Sequence, residues 1–110
     1  MKFITNTSDL AKFLNKKIKF NALIKSISTD TRSLKKNSLF IAIKGENFDG
    51  NDFVDEALSK GSNIIIADNK RFKNNNDKRI IWVNDSIKAL KTISNNIIKD
   101  YGGNVIAISG

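Results

Sequence analysis

The 110-residue sequence contains no cysteine, no histidine and no proline. Without cysteine, the chain can form neither a disulfide scaffold nor a thiolate metal site. Without histidine, it lacks the commonest general base and metal ligand, so catalysis by this chain would have to use carboxylates, lysine or a bound metal. The absence of proline reflects compositional bias, because lysine, asparagine and isoleucine are frequent throughout the sequence.

Long hydrophobic runs are also absent. No segment approaches the roughly 20 apolar residues that span a bilayer. The N-terminus mixes Lys2, Asn6, Ser8 and Asp9 with apolar residues and lacks the hydrophobic region of a signal peptide. We therefore expect a soluble, cytoplasmic protein with no membrane partner. The hydrophobic residues, 40% of the chain, are grouped and periodic, which predicts one folded domain, or one domain and the start of another.

The net charge of +8 would suit an anionic partner such as nucleic acid, a membrane surface or a phosphorylated small molecule. The lysines are scattered, however, with adjacent pairs only at Lys16-Lys17 and Lys35-Lys36, which favours compositional bias over a basic patch. A nucleic-acid-binding module would carry aromatic residues among these charges, whereas the pattern places Phe13, Phe40 and Phe53 in the core. We therefore expect no nucleic-acid partner, although such a module remains an alternative.

Apolar runs and helical periodicities alternate along the chain. Strands are predicted at residues 3–4, 23–28, 39–43, 63–67, 80–83 and 105–108. Helices are predicted after caps at Thr7 or Ser8, over residues 52–60, and from Asn84 or Asp85 to a stop at Gly102-Gly103. Their inward faces are predicted to carry Leu10, Phe13 and Leu14; then Phe53, Ala57 and Leu58; then Ile87, Leu90, Ile93, Ile97, Ile98 and Tyr101. The polar segment 68–78 is predicted to be a solvated loop. This order predicts an α/β fold with a mixed sheet flanked by helices.

The first candidate site segment is residues 28–32. On an extended backbone Thr29 and Thr31 point the same way, and their hydroxyls could bind a ligand such as a uracil or a sugar. Asp30 and Arg32 can form a charge-assisted pair that fixes the loop. The segment by itself is better explained as a strand end locked by an internal salt bridge.

The second candidate segment is residues 44–50, in which Gly45 and Gly50 flank four larger residues. Glycine permits positive φ and a close approach of the backbone to a ligand. Phe48 offers a stacking face, and Lys44 offers a compact positive charge for a diphosphate. The alternative is an ordinary connection between a strand and a helix, with Phe48 in the core.

The run STDTRSLKKNSLFIAIKGENFDGNDFVDEALSKG, which starts at Ser28, resembles the N-terminal domain of the Mur ligases, bacterial enzymes that build the peptide stem of peptidoglycan. The elements D-T-R, S-L-F-[IV]-A-[IL]-K-G, F-D-G-x-D-F and A-x-x-x-G occur in the order and spacing of that family. The resemblance is close over residues 28–67 and extends to the rest in layout. Lys44-Gly45-Glu46 with Phe48-Asp49 is most similar to the members that add D-alanyl-D-alanine to UDP-MurNAc-tripeptide. The members that add the third stem residue are the alternative.

The resemblance implies that this part of the chain binds the UDP-MurNAc end of the substrate. Thr29 and Thr31 match one contacting segment, and Glu46, Asn47 and Phe48 match the second. Arg32, Lys44 and Gly45 match positions of the pattern and complete the implied substrate site. No catalytic or metal-binding residue is implied. Asn51 stands where the family often has histidine, so it can form hydrogen bonds but cannot carry a proton.

Residues 105–110 resemble the strand that enters the family's phosphate loop, with Gly110 as its first glycine and ATP-binding residue. The resemblance thus divides the chain into a UDP-MurNAc-binding domain, residues 1–84, and the first helix and strand of a P-loop ATPase domain, residues 85–110, truncated at that loop. It implies ATP and Mg²⁺ in the full-length enzyme, with neither held by this part. It also implies that D-Ala-D-Ala is bound by missing domains, a monomeric state, and no ligase activity for these residues alone. We expect residues 85–110 to be marginally stable within this chain or to make it self-associate, and a free-standing interaction domain is the remaining alternative.

Overall fold

The computed structural model describes residues 5–100 and 108–109. Within them, the strands are β1 (Thr5–Asn6), β2 (Leu23–Ile24), β3 (Ser26–Ser28), β4 (Ser38–Ile41), β5 (Ser62–Ala67), β6 (Ile80–Trp82) and β7 (Ile108–Ser109). The helices are α1 (Thr7–Leu14), α2 (Val54–Ser59) and α3 (Ser86–Asp100), and 3₁₀ turns cover Thr31–Ser33, Gly50–Phe53 and Lys70–Phe72. The predictions for residues 3–4, Tyr101, Gly102-Gly103, 105–107 and Gly110 lie outside the described residues.

Five strands form a parallel sheet in the order β6-β5-β4-β3-β7, and β1 and β2 form a separate antiparallel pair. The predicted α/β fold is confirmed, but parallel and antiparallel pairing belong to two sheets instead of one mixed sheet. The strand predicted over residues 23–28 is broken at Lys25, whose backbone N–H donates to the Asn37 carbonyl at 2.7 Å. On either side of this break, β2 pairs with β1 and β3 pairs with β4.

The parallel sheet is covered on both faces, because the side chains of β4 and β5 alternate between two apolar clusters. The larger cluster lies beneath α1 and α3 and includes Leu10, Ile24, Ile27, Leu39, Ile41, Ile64, Ile66, Ile81, Val83, Ala89 and Ile93. The smaller cluster lies beneath α2 and consists of Phe40, Ala42, Val54, Ala57, Ile65 and Ala67. Strands buried on both faces explain the continuous apolar runs in the sequence.

Helix α3 is capped by Asp85, whose Oδ1 accepts hydrogen bonds from the backbone N–H groups of Ile87 (3.0 Å) and Lys88 (3.2 Å). Ala89 and Ile93 join the larger cluster, whereas Ile87, predicted to face inward, is 47% exposed. A boundary after residue 84 would therefore separate segments that share a hydrophobic core. The division into residues 1–84 and 85–110 stays a prediction.

The start of α1 and the end of α2 each depend on one residue. Asn6, not Thr7 or Ser8, caps α1, because its side chain accepts from the Asp9 N–H at 2.9 Å. Thr7 is instead buried, and its hydroxyl donates to the Phe20 carbonyl at 2.7 Å. Gly61 ends α2 with a φ of +105°, as its position after the apolar pattern predicts. In the described ranges, none of the helices has the length and apolarity to cross a membrane.

Candidate functional site

A cavity of about 230 Å³ lies at the edge of the parallel sheet where β3 and β4 end. It is lined by Thr29, Asp30, Thr31, Arg32, Phe40, Phe48 and Phe53. The order of the sheet reverses at β3, since β4, β5 and β6 lie successively on one side of it and β7 lies on the other. Open parallel sheets bind ligands outside the carboxyl ends of their strands at such a reversal. The cavity therefore lies at the carboxyl end of β3, the strand at which the order reverses.

The segment after β3 is held by its own side chains. The Ser28 hydroxyl donates to the Asp30 carbonyl at 2.8 Å, and Asp30 Oδ1 accepts from the Arg32 backbone N–H at 2.9 Å. The Arg32 guanidinium donates to the same carboxylate through Nε (2.9 and 3.0 Å) and Nη2 (2.5 Å). These hydrogen bonds from Arg32 lower the pKa of Asp30 to about 2. The predicted Asp30–Arg32 pair is therefore present, and it fixes the guanidinium at the mouth of the cavity.

Thr31 takes a different conformation from the one predicted. It begins the 3₁₀ turn that Asp30 caps, so Thr29 and Thr31 do not share a continuous extended backbone. The Thr31 side chain is buried, and its hydroxyl donates to the Glu56 carboxylate on α2. The Thr31 carbonyl accepts from Lys60 Nζ at 2.9 Å. Sequence reasoning missed Glu56 and Lys60 because both are distant in the chain and carry no local signal of the contact.

The loop after β4 is a tight hairpin. Lys44 and Asp49 form an isolated antiparallel bridge, and the Gly45 N–H donates to the Phe48 carbonyl at 2.8 Å. Phe48 lines the cavity, whereas four other predicted site residues are exposed on the turn and do not line it: Lys44, Gly45, Glu46 and Asn47. Neither Gly45 nor Gly50 adopts the positive φ that glycine permits, because Gly61 is the glycine with positive φ among the described residues. Gly50 is instead required for close approach, since a Cβ there would lie 2.7 Å from the Ile43 nitrogen.

Three phenylalanines form the apolar side of the cavity. The Phe48 and Phe53 rings meet edge to face, with centroids 5.9 Å apart and planes at 79°. Phe48 is 52% exposed and Phe53 is 37% exposed, while Phe40 is buried behind them. The prediction that Phe53 faces the core is wrong, because the 3₁₀ turn before α2 shifts the helical phase and places Val54 inward. Exposed paired rings are typical of a surface that stacks on a planar ligand.

Asn51 secures the base of the Phe48 hairpin. It is 2% exposed, and its Nδ2 donates to Asp49 Oδ1 (2.7 Å) and Asp68 Oδ1 (3.0 Å). Its Oδ1 accepts from the backbone N–H groups of Asp68 (3.2 Å) and Asn69 (3.0 Å). Burial alone would raise the pKa of Asp49, but hydrogen bonds from Asn51 and the charges of Lys44 and Arg71 lower it. The start of segment 68–78, predicted to be solvated and without a role, thus holds the site.

The cavity combines complementary chemistry for a ligand with a planar ring and an anionic group. Phe48 and Phe53 offer ring faces and edges, and Thr29 and Thr31 border the same space. Arg32 is 88% exposed at its side chain, and a guanidinium has five N–H donors, more than the Asp30 carboxylate uses. Arginine binds phosphate groups through such paired N–H donors. The arrangement is therefore suited to binding.

Most of this chain is similar in sequence to known proteins. Residues 23–100 match a sequence profile described as the Mur ligase family, catalytic domain. A 2,6-diaminopimelate-adding ligase of Rickettsia prowazekii, UDP-N-acetylmuramoyl-L-alanyl-D-glutamate--2,6-diaminopimelate ligase, is 37% identical over 90 residues, which are 82% of this chain and 18% of that protein. The UDP-N-acetylmuramoyl-tripeptide--D-alanyl-D-alanine ligase of Bacillus subtilis is 33% identical over 88 residues, 80% of this chain and 19% of that protein. The chain thus spans less than a fifth of each relative.

Solved structures agree with these matches. The MurF ligase from Thermotoga maritima, solved in complex with ADP, aligns with a TM-score of 0.61 at 32% identity and covers 68% of this chain and 17% of that one. A MurF structure from Acinetobacter baumannii aligns with a TM-score of 0.70 over 91% of this chain and 22% of that one. Its identity of 22% supports the fold alone.

Proposed function

This chain belongs to the Mur ligase family, and we propose that it forms the part of a peptidoglycan-precursor ligase that recognises the uridine diphosphate end of a UDP-MurNAc-peptide. The observation that carries the proposal is the cavity at the carboxyl edge of β3 and β4, where aromatic, hydroxyl and guanidinium groups converge. Names of the relatives support the substrate class, because both act on UDP-N-acetylmuramoyl peptides.

Each lining group has a role in this proposal. Phe48 and Phe53 pack against the uracil ring, and Thr29 and Thr31 bind its polar edge or the ribose. Arg32, held in place by Asp30, binds the diphosphate. The exposed turn of Lys44, Gly45, Glu46 and Asn47 lies next to Phe48 in the chain and contacts the ligand further along, towards the sugar.

We further propose that the parent protein is an ATP-dependent, amide-forming ligase that adds D-Ala-D-Ala. The Lys44-Gly45-Glu46 pattern and the T. maritima structure favour this reaction. Addition of the third stem residue is the alternative, favoured by the Rickettsia relative. An assay of the full-length parent protein with D-Ala-D-Ala and with diaminopimelate as competing amine substrates distinguishes them.

ATP and Mg²⁺ belong, in this proposal, to parts of the parent protein beyond the cavity. Gly110, the proposed first glycine of the phosphate loop, lies outside the described residues. Over residues 5–100 and 108–109, no three acidic side chains converge as metal ligands would, so we assign no step through a metal to them. The chain alone is expected to release no phosphate from ATP. A cytoplasmic location and a monomeric state complete the proposal.

Titration of the chain with UDP-MurNAc-tripeptide and with UDP, followed by backbone amide shifts, tests the proposed site. We expect shifts at residues 29–32 and 44–48. Phe48→Ala should weaken UDP binding about tenfold, since an aromatic contact contributes about 1 kcal/mol or more. Leu23→Ala removes another exposed hydrophobic side chain, remote from the cavity, and should leave binding unchanged. Shifts confined to other residues, or none with either ligand, would refute the proposal.

A further inference from the structure

Five lysines that are scattered in the sequence converge beside β6. Lys16, Lys17 and Lys19 follow α1, whereas Lys73 and Lys78 lie in the connection between β5 and β6. They line two adjoining grooves of about 450 and 400 Å³. The grooves share Lys17, Asn75, Ile80 and Ile81, so they form one continuous trough, here called the β6 groove.

The positive charge of the β6 groove is not balanced locally. Asp77 is the one acidic residue among its described lining residues, and Arg79 already holds it through an Nη2–Oδ2 contact of 2.8 Å. Compositional bias explains why lysine is frequent, but it does not explain why five lysines and one carboxylate lie on the same described surface. The β6 groove is therefore electrostatically complementary to an anionic partner.

Trp82 lies at one end of the β6 groove and has two cationic neighbours. Lys16 Nζ lies 5.7 Å from the ring centroid, and Lys73 Nζ lies 5.1 Å from it. The indole Nε1 is buried and has no hydrogen-bond partner among the described residues. Buried polar groups in proteins nearly always have a partner, so this N–H is a donor that a bound acceptor could satisfy.

Strand β6 is an edge strand of the described sheet, with β5 as its one neighbour. The Ile65 N–H donates to the Arg79 carbonyl on the β6 side, and the Val83 N–H donates to the Ala67 carbonyl on β5. In a parallel ladder, alternate residues of a strand direct their N–H and C=O groups to the same neighbouring strand. Because Arg79 and Val83 bond to β5, the N–H and C=O groups of Ile80 and Trp82 face away from β5. The Ile80 groups are bonded to Asn75 and Asp77, whereas those of Trp82 have no partner among the described residues.

We propose that the β6 groove binds an extended acidic polypeptide segment, whose backbone pairs with Trp82 at the sheet edge and whose carboxylates contact the flanking lysines. Strand addition to an exposed edge is a common mode of peptide recognition. A nucleic-acid base would have to displace Lys16 and Lys73 before it stacked on Trp82. A membrane surface fits less well, because the site is concave and the exposed large hydrophobic side chains lie elsewhere.

The single tryptophan of the chain makes its fluorescence a direct reporter of the β6 groove. The probe is a blocked peptide of alternating Glu and Val, about eight residues long, a typical strand length. We expect it to change Trp82 fluorescence saturably at low salt and to lose most of its affinity at about 0.5 M salt. A peptide with proline in place of each Val keeps the charge but cannot donate from alternate residues, and it should bind at least about tenfold more weakly.

Matched variants separate the effect of the β6 groove on binding from the effect of the net charge. The double variant Lys17→Glu with Lys19→Glu should lower the affinity for the Glu–Val peptide about tenfold or more, while circular dichroism shows that the fold is retained. Lys25→Glu with Lys91→Glu makes the same change in net charge at exposed positions outside the groove and should have little effect. The proposal is overturned by absent binding, by equal binding of the proline peptide, or by tighter binding of oligo-dT or of phosphatidylserine vesicles.

Discussion

Replacing Gly50 with alanine is expected to displace the hairpin that carries Phe48. The added Cβ would lie 2.7 Å from the Ile43 nitrogen and 3.0 Å from both the Ala42 Cα and the Ile43 carbonyl oxygen. These are backbone atoms, and they cannot move freely because the Ala42 N–H donates to the Ile66 carbonyl at 2.8 Å. The hairpin must therefore shift instead, and the bond from the Gly50 N–H to the Ile43 carbonyl, now 2.9 Å, must lengthen or break.

Two contributions set the size of the effect. Overpacking by a methyl group against well-packed atoms costs about 1–3 kcal/mol. Loss of one backbone hydrogen bond adds about 1 kcal/mol. The free energy of unfolding should thus fall by about 2–4 kcal/mol, a large part of the roughly 5–15 kcal/mol of a typical domain. Gly45→Ala is the matched control, because its Cβ would meet the Phe48 carbonyl oxygen at 3.6 Å, an ordinary contact.

Urea unfolding followed by Trp82 fluorescence measures this difference. Gly50→Ala should lower the midpoint by about 1–2 M, while Gly45→Ala should change the free energy of unfolding by no more than about 0.5 kcal/mol. UDP binding by folded Gly50→Ala should also weaken, since Phe48 moves with the hairpin. Equal midpoints for the two variants would show that the Gly50 contact does not constrain the loop.

Three further predictions concern stability. Asn51→Ala should lower the free energy of unfolding by about 2–4 kcal/mol in urea titrations, because buried partners lose their hydrogen bonds. Asp30→Asn should be less stable than the wild type near neutral pH. That difference should vanish as the pH falls from 3.8, the ordinary pKa, through about 2, the folded pKa that Arg32 maintains. Ile93→Ala should cost about 2–5 kcal/mol in one cooperative transition, because α3 shares the core of the sheet.

Each of these predictions has an internal control. Asn95→Ala and Ile87→Ala change exposed side chains and should each cost no more than about 0.5 kcal/mol. For the pH dependence, Arg32→Gln should reproduce the Asp30→Asn profile, and a difference that does not shrink as the pH falls from about 4 to 2 would contradict the assigned cause. If Ile93→Ala leaves the unfolding of residues 5–84 unchanged, those residues fold independently of α3, as a boundary after residue 84 predicts.

Much of the fold could be predicted from local patterns. Short apolar runs separated by helical periodicities identified β4, β5 and β6 to within two residues, and Gly61 was identified as the end of α2. These features depend on side-chain periodicity and backbone conformation, which neighbouring residues determine. The break at Lys25 could not be predicted, because it depends on a hydrogen bond to Asn37 and on the separate partners of β2 and β3.

Four of the eight residues predicted to bind substrate line the cavity, and their binding role stays a prediction. Thr29, Thr31, Arg32 and Phe48 line one cavity, as segments that follow adjacent parallel strands should. The predicted direction of the Phe53 side chain was wrong, since one 3₁₀ turn before α2 rotates the helix relative to the apolar pattern. Phe40 and Phe53 were not assigned to the site, because a core residue and a cavity residue have the same sequence signal. Asp30 was interpreted only as the partner of Arg32.

By itself, the sequence determined the order of most helices and strands, two of the segments that contribute residues to the cavity, and the family to which the chain belongs. Only the tertiary structure decided which phenylalanines face the cavity and that Thr31 bonds to Glu56. It also brought lysines that are scattered in the sequence together around Trp82. The physical reason is the same in each case. Periodicity and turn chemistry act between neighbours in the chain, whereas contacts between distant segments depend on how the helices pack against the sheet.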